Sequence, residues 1–105
     1  MGADYDVVKY IRKEDDKLYV ELFGTLSADT ADRLTEKLDS NIDGVSILEL
    51  NMEKLAYITS AGIRSLMKAA KQMRAQDGKV IVNHVNDDVM GVFELMNITS
   101  FLTIE

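Results

Sequence analysis

Leu55 to Leu66 reads LAYITSAGIRSL, and within it Thr59 and Ser60 set two hydroxyls between an apolar run and a helical pattern. Ile63, Leu66, Met67, Ala70 and Met73 recur at i, i+3, i+4, i+7 and i+10, the spacing of one buried helical stripe. That stripe places Ser60 just before or on the first helical turn. Backbone N–H groups there have no intrahelical acceptor and the helix dipole is positive, so negative charge on the serine oxygen is locally favoured. A phosphoserine is the chemistry that suits the position. Capping is the simpler role, because Ser and Thr are preferred N-caps in any protein. Arg64 lies one turn after Ser60, within reach of a phosphate there, although Arg64, Lys68 and Lys71 together also read as a solvated outer face.

Other chemistries find less support. His84 is the single histidine and there is no cysteine, which removes thiolate metal sites and disulfides and leaves His84 as a polar strand-end residue. Ser60 with His84 as base would make a hydrolase dyad, but the Gly-x-Ser-x-Gly elbow is missing. The six glycines are scattered singly, so no Gly-rich loop cradles a phosphate and no cofactor is expected. Any ATP used to modify Ser60 must be bound by a partner. A net charge of −6 argues against direct nucleic-acid binding, and no stretch approaches the ~20 apolar residues of a membrane span.

The elements that must position Ser60 follow from periodicity. Tyr5 to Ile11 and Leu18 to Phe23 read as an antiparallel strand pair joined by the polar turn Arg12 to Lys17. Ser27 or Asp29 starts a helix with Ala31, Leu34 and Leu38 inward, ended by Asn41 to Gly44. Val45 to Leu50 is a buried central strand, and the Ser60 helix follows until Asp77 and Gly78 stop it. Lys79 to Val85 makes a strand. Asn86 or Asp87 caps a third helix with Val89, Val92, Phe93 and Met96 inward, and Phe101 to Ile104 closes with a short strand. Repeated strand-helix-strand units need right-handed crossovers, so the fold is expected to be α/β with a mixed, mostly parallel sheet. The loops Gly24 to Ser27 and Ala56 to Ser60 then share one edge. Met90, Leu95 and the Ile58 region are a second candidate docking patch. With 105 residues, 47% of them hydrophobic, the expectation is a single domain over 1–105.

The Ser60 turn resembles the signature of the STAS domain family, typified by bacterial anti-sigma factor antagonists, in which a phosphorylated serine precedes a helix. Ser60 and Gly62 fall on that serine and glycine, Ala61 replaces a second hydroxyl residue, and Thr59 stands where many antagonists carry Asp. Leu18 to Thr30, LYVELFGTLSADT, is similar to the family's first strand-to-helix passage: Gly24, Leu26 and Thr30 agree, and Ser27 replaces an Asp. The resemblance runs from about Asp16 to Phe101 and implies helices mainly on one face of the sheet. It also implies a non-enzymatic, cytoplasmic regulator that binds an anti-sigma factor with serine kinase activity until phosphate on Ser60 weakens the complex, a phosphatase restoring it. The docking residues would be Gly24, Ser27, Thr30, Thr59, Ser60, Ala61, Gly62 and Arg64. Gly62 is expected to admit the partner's backbone, so that Gly62→Ala folds normally but binds poorly. The alternative within the family is a phosphate-independent accessory subunit of a stressosome-like or lipid-transport ATPase assembly, and outside it a small hydrolase.

Overall fold

A computed structural model describes residues 7–105 of the chain, so the Tyr5 start expected for the first strand lies outside the described residues. The elements are β1 (Val8–Glu14), β2 (Lys17–Leu26), α1 (Ala28–Asp39), β3 (Ile47–Ile58), α2 (Ser60–Ala75), β4 (Lys79–Asn83), α3 (Asp87–Leu95), a 3-10 turn (Thr99–Phe101) and β5 (Thr103–Ile104). The five strands form one sheet in the order β1-β2-β3-β4-β5, with β1 antiparallel to β2 and every later pair parallel. This is the α/β mixed sheet that the alternation of patterns predicts.

One face of the sheet carries the core. Leu18, Val20 and Leu22 of β2, Leu48, Leu50 and Met52 of β3, and Val80 and Val82 of β4 are buried at alternate positions. They join Ala31, Leu34 and Leu38 of α1 and Ile63, Leu66, Ala70 and Met73 of α2 in one cluster. Fully burying each of the larger side chains contributes about 1.5–3 kcal/mol, and this is what holds α1 and α2 against the sheet. The opposite face is polar. There Lys17 Nζ meets Glu49 Oε1 at 2.7 Å, Asn83 Nδ2 donates to Glu49 Oε2 at 2.7 Å, and Asn51 Nδ2 donates to the Tyr19 hydroxyl at 2.9 Å.

Local chemistry sets the element ends. α2 stops where Asp77 takes a left-handed φ of 60° and Gly78 N donates to Met73 O at 2.7 Å. Asn86 caps α3, its side chain accepting from Val89 N at 2.8 Å, while its Nδ2 donates to Leu55 O at 2.9 Å and ties α3 to the far half of β3.

Several boundaries differ from the pattern-based ones. β3 continues to Ile58 instead of ending at Leu50, and β2 to Leu26 instead of Phe23. Register shifts between Glu21 and Phe23 and between Gly24 and Thr25 break strict alternation, so the buried residues Met52, Leu55 and Ile58 recur every third position and hide the strand. β4 ends at Asn83 because His84 turns left-handed with φ 56°. Phe101 belongs to the 3-10 turn and not to β5. Met96, expected inward, is 44% exposed, since α3 ends at Leu95 and Met96 is its C-cap.

Candidate functional site

β2 and β3 run parallel and in register at their ends, Leu26 opposite Ile58, and each passes into a helix through a single residue. Ser27 and Thr59 are those two joints, both with extended backbone, so the starts of α1 and α2 lie side by side. The expected loops Gly24 to Ser27 and Ala56 to Ser60 are therefore mostly strand, although they do meet at one edge. Thr59 N and Thr59 Oγ1 both donate to Leu26 O, at 2.9 and 3.3 Å, which pins the start of α2 to the end of β2. At α1, Thr30 Oγ1 accepts from Ser27 N at 2.9 Å and donates to Thr25 O at 2.7 Å, the reciprocal half of a capping box. The hydroxyls of Thr30 and Thr59 are thus engaged within the domain.

Ser60 is the first residue of the sixteen-residue helix α2, and it is exposed. Ile63 N already donates to Thr59 O at 2.9 Å, so the helix's unsatisfied donors are the N–H groups of Ser60, Ala61 and Gly62. The first turn of α2 has no acidic residue, and Arg64 is exposed one turn on. An anion on Ser60 Oγ would meet a positive helix end and a nearby guanidinium without opposing carboxylate charge from that turn. Gly24 is exposed with φ 75°, which explains a glycine there, and sits within β2.

Gly62 requires a correction. It is buried, and a methyl group in its place would lie 2.5 Å from Leu26 O, 2.7 Å from Ile58 Cγ1 and 2.9 Å from Leu26 Cγ. The backbone that approaches Gly62 is the protein's own β2, so this glycine fits α2 onto the sheet and presents no surface to a partner.

Ala61 and Arg64 have neighbours that the periodic reading overlooked. With Ser65 and Lys68 of α2, and Ala28, Ala31, Asp32 and Thr35 of α1, they line a shallow groove beginning beside Ser60. Thr35 Oγ1 and Ser65 Oγ are 3.1 Å apart across it, and Lys68 Nζ lies 3.8 Å from Asp39 Oδ2. Small residues at helical spacing, Ala28 with Ala31 and Ala61 with Ser65, were the available signal. The basic residues divide accordingly: Arg64 and Lys68 border the groove, while Lys71 does not line it.

The candidate dyad is not assembled. Asn83, which precedes His84, pairs with Asn51, and at ~3.3 Å per strand residue the Ser60 end of β3 lies on the order of 20 Å further along. Of the second candidate patch, Leu95 is exposed and so is Tyr57 beside Ile58, whereas Ile58 itself is fully buried and Met90 is partly buried against the core. Among the described residues no group of His, Cys, Asp and Glu could hold a metal ion, and no helix is long and apolar enough to cross a membrane.

The chain resembles known proteins in sequence and in fold. The STAS domain profile matches residues 8–105. BtrV of Bordetella bronchiseptica, described as a candidate anti-sigma factor antagonist, is 33% identical over 93 residues, which is 88% of this chain and 78% of that protein. A candidate anti-sigma factor antagonist from Thermotoga maritima superposes with a TM-score of 0.82 at 16% identity, covering 90% of this chain and 83% of the other. The anti-sigma factor antagonist SpoIIAA is similar in fold in its unphosphorylated form, with a TM-score of 0.72 at 16% identity over 91% of this chain and 86% of SpoIIAA. The phosphorylated form of SpoIIAA, a Bacillus cell fate determinant, gives 0.73 at 17% identity over 91% and 89%.

Proposed function

We propose that this chain, which belongs to the STAS domain family, is an anti-sigma factor antagonist switched off by phosphorylation of Ser60. The observation that carries the reading is the exposed Ser60 hydroxyl at the positive end of α2, beside a groove between α1 and α2. The partner is an anti-sigma factor that is also a serine kinase. It packs over Ser60 and the adjoining surface of Gly24, Ser27, Ala61 and Arg64, and brings the ATP; a phosphatase reverses the modification. The domain itself is a non-enzymatic, cytoplasmic regulator of transcription.

Phosphate adds about −1.5 to −2 charge at a site an interface would have to desolvate, whereas the hydroxyl is easily accommodated. A loss of ~1.4–4 kcal/mol would weaken binding by about ten-fold to a thousand-fold, enough to release a partner held at micromolar strength. Incubation with the cognate kinase and ATP is expected to label Ser60 alone. Calorimetric titration is expected to give tight binding for Ser60→Ala and weak binding for Ser60→Asp. Equal affinities for wild type, both variants and the phosphorylated protein would favour the phosphate-independent accessory subunit. That second reading draws on Thr59 and Ser27, which stand at the joints where family members carry acids and whose backbone here is committed to capping.

A further inference from the structure

The sheet face turned away from α1 and α2 has a distinctive end. Along most of this face charges are matched: Arg12 with Glu14 at 3.8 Å and Lys17 with Glu49 at 2.7 Å. Toward the ends of β2 and β3 the pattern changes. Phe23 pairs with Lys54 and Thr25 with Tyr57, while Lys9 stands at the bulge of β1 between Val8, opposite Leu22, and Tyr10, opposite Glu21. Phe23 is 38% exposed, Tyr57 47% and Tyr10 44%, three of the five large hydrophobic side chains that are exposed among the described residues. Lys9 and Lys54 thus stand on the two strands that flank the end of β2, near enough that Lys54 holds the Lys9 ammonium below the usual lysine range, with Glu21 opposing in part.

Two ammonium groups set side by side repel, and an anion between them relieves that repulsion. Exposed rings beside them favour a ligand that also carries apolar or aromatic surface. The chain's net charge of −6 disfavours a polyanion such as nucleic acid or an anionic bilayer, whose attraction depends on an extended basic surface. A second copy docking face to face would set lysine against lysine. What remains is a short segment with a few carboxylates around a ring.

We infer that Lys9, Lys54, Phe23, Tyr57 and Tyr10 form a second docking surface, on the sheet face opposite the α1–α2 groove, for an acidic segment of a partner protein carrying an aromatic side chain. This surface is separate from the Ser60 switch and operates whatever the state of that serine.

The test uses the full chain and poly(Glu,Tyr) copolymer as the probe, followed by amide NMR and calorimetry. Binding is expected to shift resonances of Lys9, Phe23, Lys54 and Tyr57, and to fall by about tenfold or more in the Lys9→Glu/Lys54→Glu double variant and in Phe23→Ser. Lys54→Arg is expected to retain it, as is Ser60→Asp, which keeps this result distinct from the switch. Circular-dichroism melts confirm that each variant is folded; all the substituted side chains are at least partly exposed. Unchanged affinity in folded Lys9→Glu/Lys54→Glu would overturn the proposal, as would shifts confined to the α1–α2 groove. Equal binding of ring-free poly-Glu, oligothymidylate or phosphatidylserine vesicles would overturn it in favour of a general anion surface. A rise in probe affinity on deleting residues 2–6 would reassign the face to this chain's own Asp4-Tyr5-Asp6 stretch. Self-association abolished by the double variant would reassign it to a second copy.

Discussion

Gly62→Ala puts two opposed effects on one methyl group. Intrinsic helix propensity favours Ala over Gly by ~1 kcal/mol, so a surface-facing position would be stabilised. At Gly62 the added carbon would lie 2.5 Å from Leu26 O and under 3 Å from two side-chain carbons, which real contacts do not tolerate. Leu26 O cannot move freely, because it accepts both Thr59 N and Thr59 Oγ1. Overpacking of this kind costs about 1–3 kcal/mol, and loosening those two hydrogen bonds adds ~0.5–1.5 kcal/mol for each one lost. The clash wins. A net loss of ~1–3 kcal/mol lowers the melting temperature of a domain this size by about 4–20 °C. Gly91 on α3 is the internal control, since a methyl there meets nothing within 4 Å and Gly91→Ala is expected to stabilise by up to ~1 kcal/mol. Thermal and urea melts of both variants decide the question. A Gly62→Ala protein that melts as high as Gly91→Ala would refute the packing argument and return the glycine to a surface role.

Three further outcomes are expected. Thr30→Val removes the bonds to Ser27 N and Thr25 O at the start of α1 and is expected to cost ~1–2 kcal/mol in a urea melt, with little change if the capping box is unimportant. Gln76→Ala frees the carbonyls of Ile42 and Val45, which its Nε2 bridges at 2.8 and 2.7 Å, and is expected to cost ~1–3 kcal/mol by the same measurement. Glu49 is held below the usual carboxylate range chiefly by its hydrogen bond from Lys17, so its contribution is present above about pH 4.5 and lost as pH falls through the lowered folded value. Glu49→Gln is expected to lower stability by ~0–1 kcal/mol at neutral pH, with the gap to wild type closing on acidification. A gap that widens in acid would reverse the sign assigned to that pair.

The helix patterns were legible because burial on a helix repeats at a fixed spacing: Ala31, Leu34 and Leu38, and Ile63, Leu66, Ala70 and Met73, are buried as that spacing requires. The stop of α2 was legible too, since Asp77 and Gly78 are residue types that favour turns, and it is Asp77 that takes the left-handed φ. The far half of β3 was not. Bulges against β2 shift its register, and a bulge is a property of two strands together.

The sequence by itself determined that Ser60 opens a helix, because capping residues and apolar spacing act within one segment. Only the tertiary structure decided what surrounds it. Gly62 is a partner-facing residue or an internal fit according to whether β2 runs beneath it, and Lys9 stands near Lys54 only because β1 and β3 flank the same strand. Such contacts join residues far apart in the chain, and sheet order and register, not local propensity, fix the distances between them.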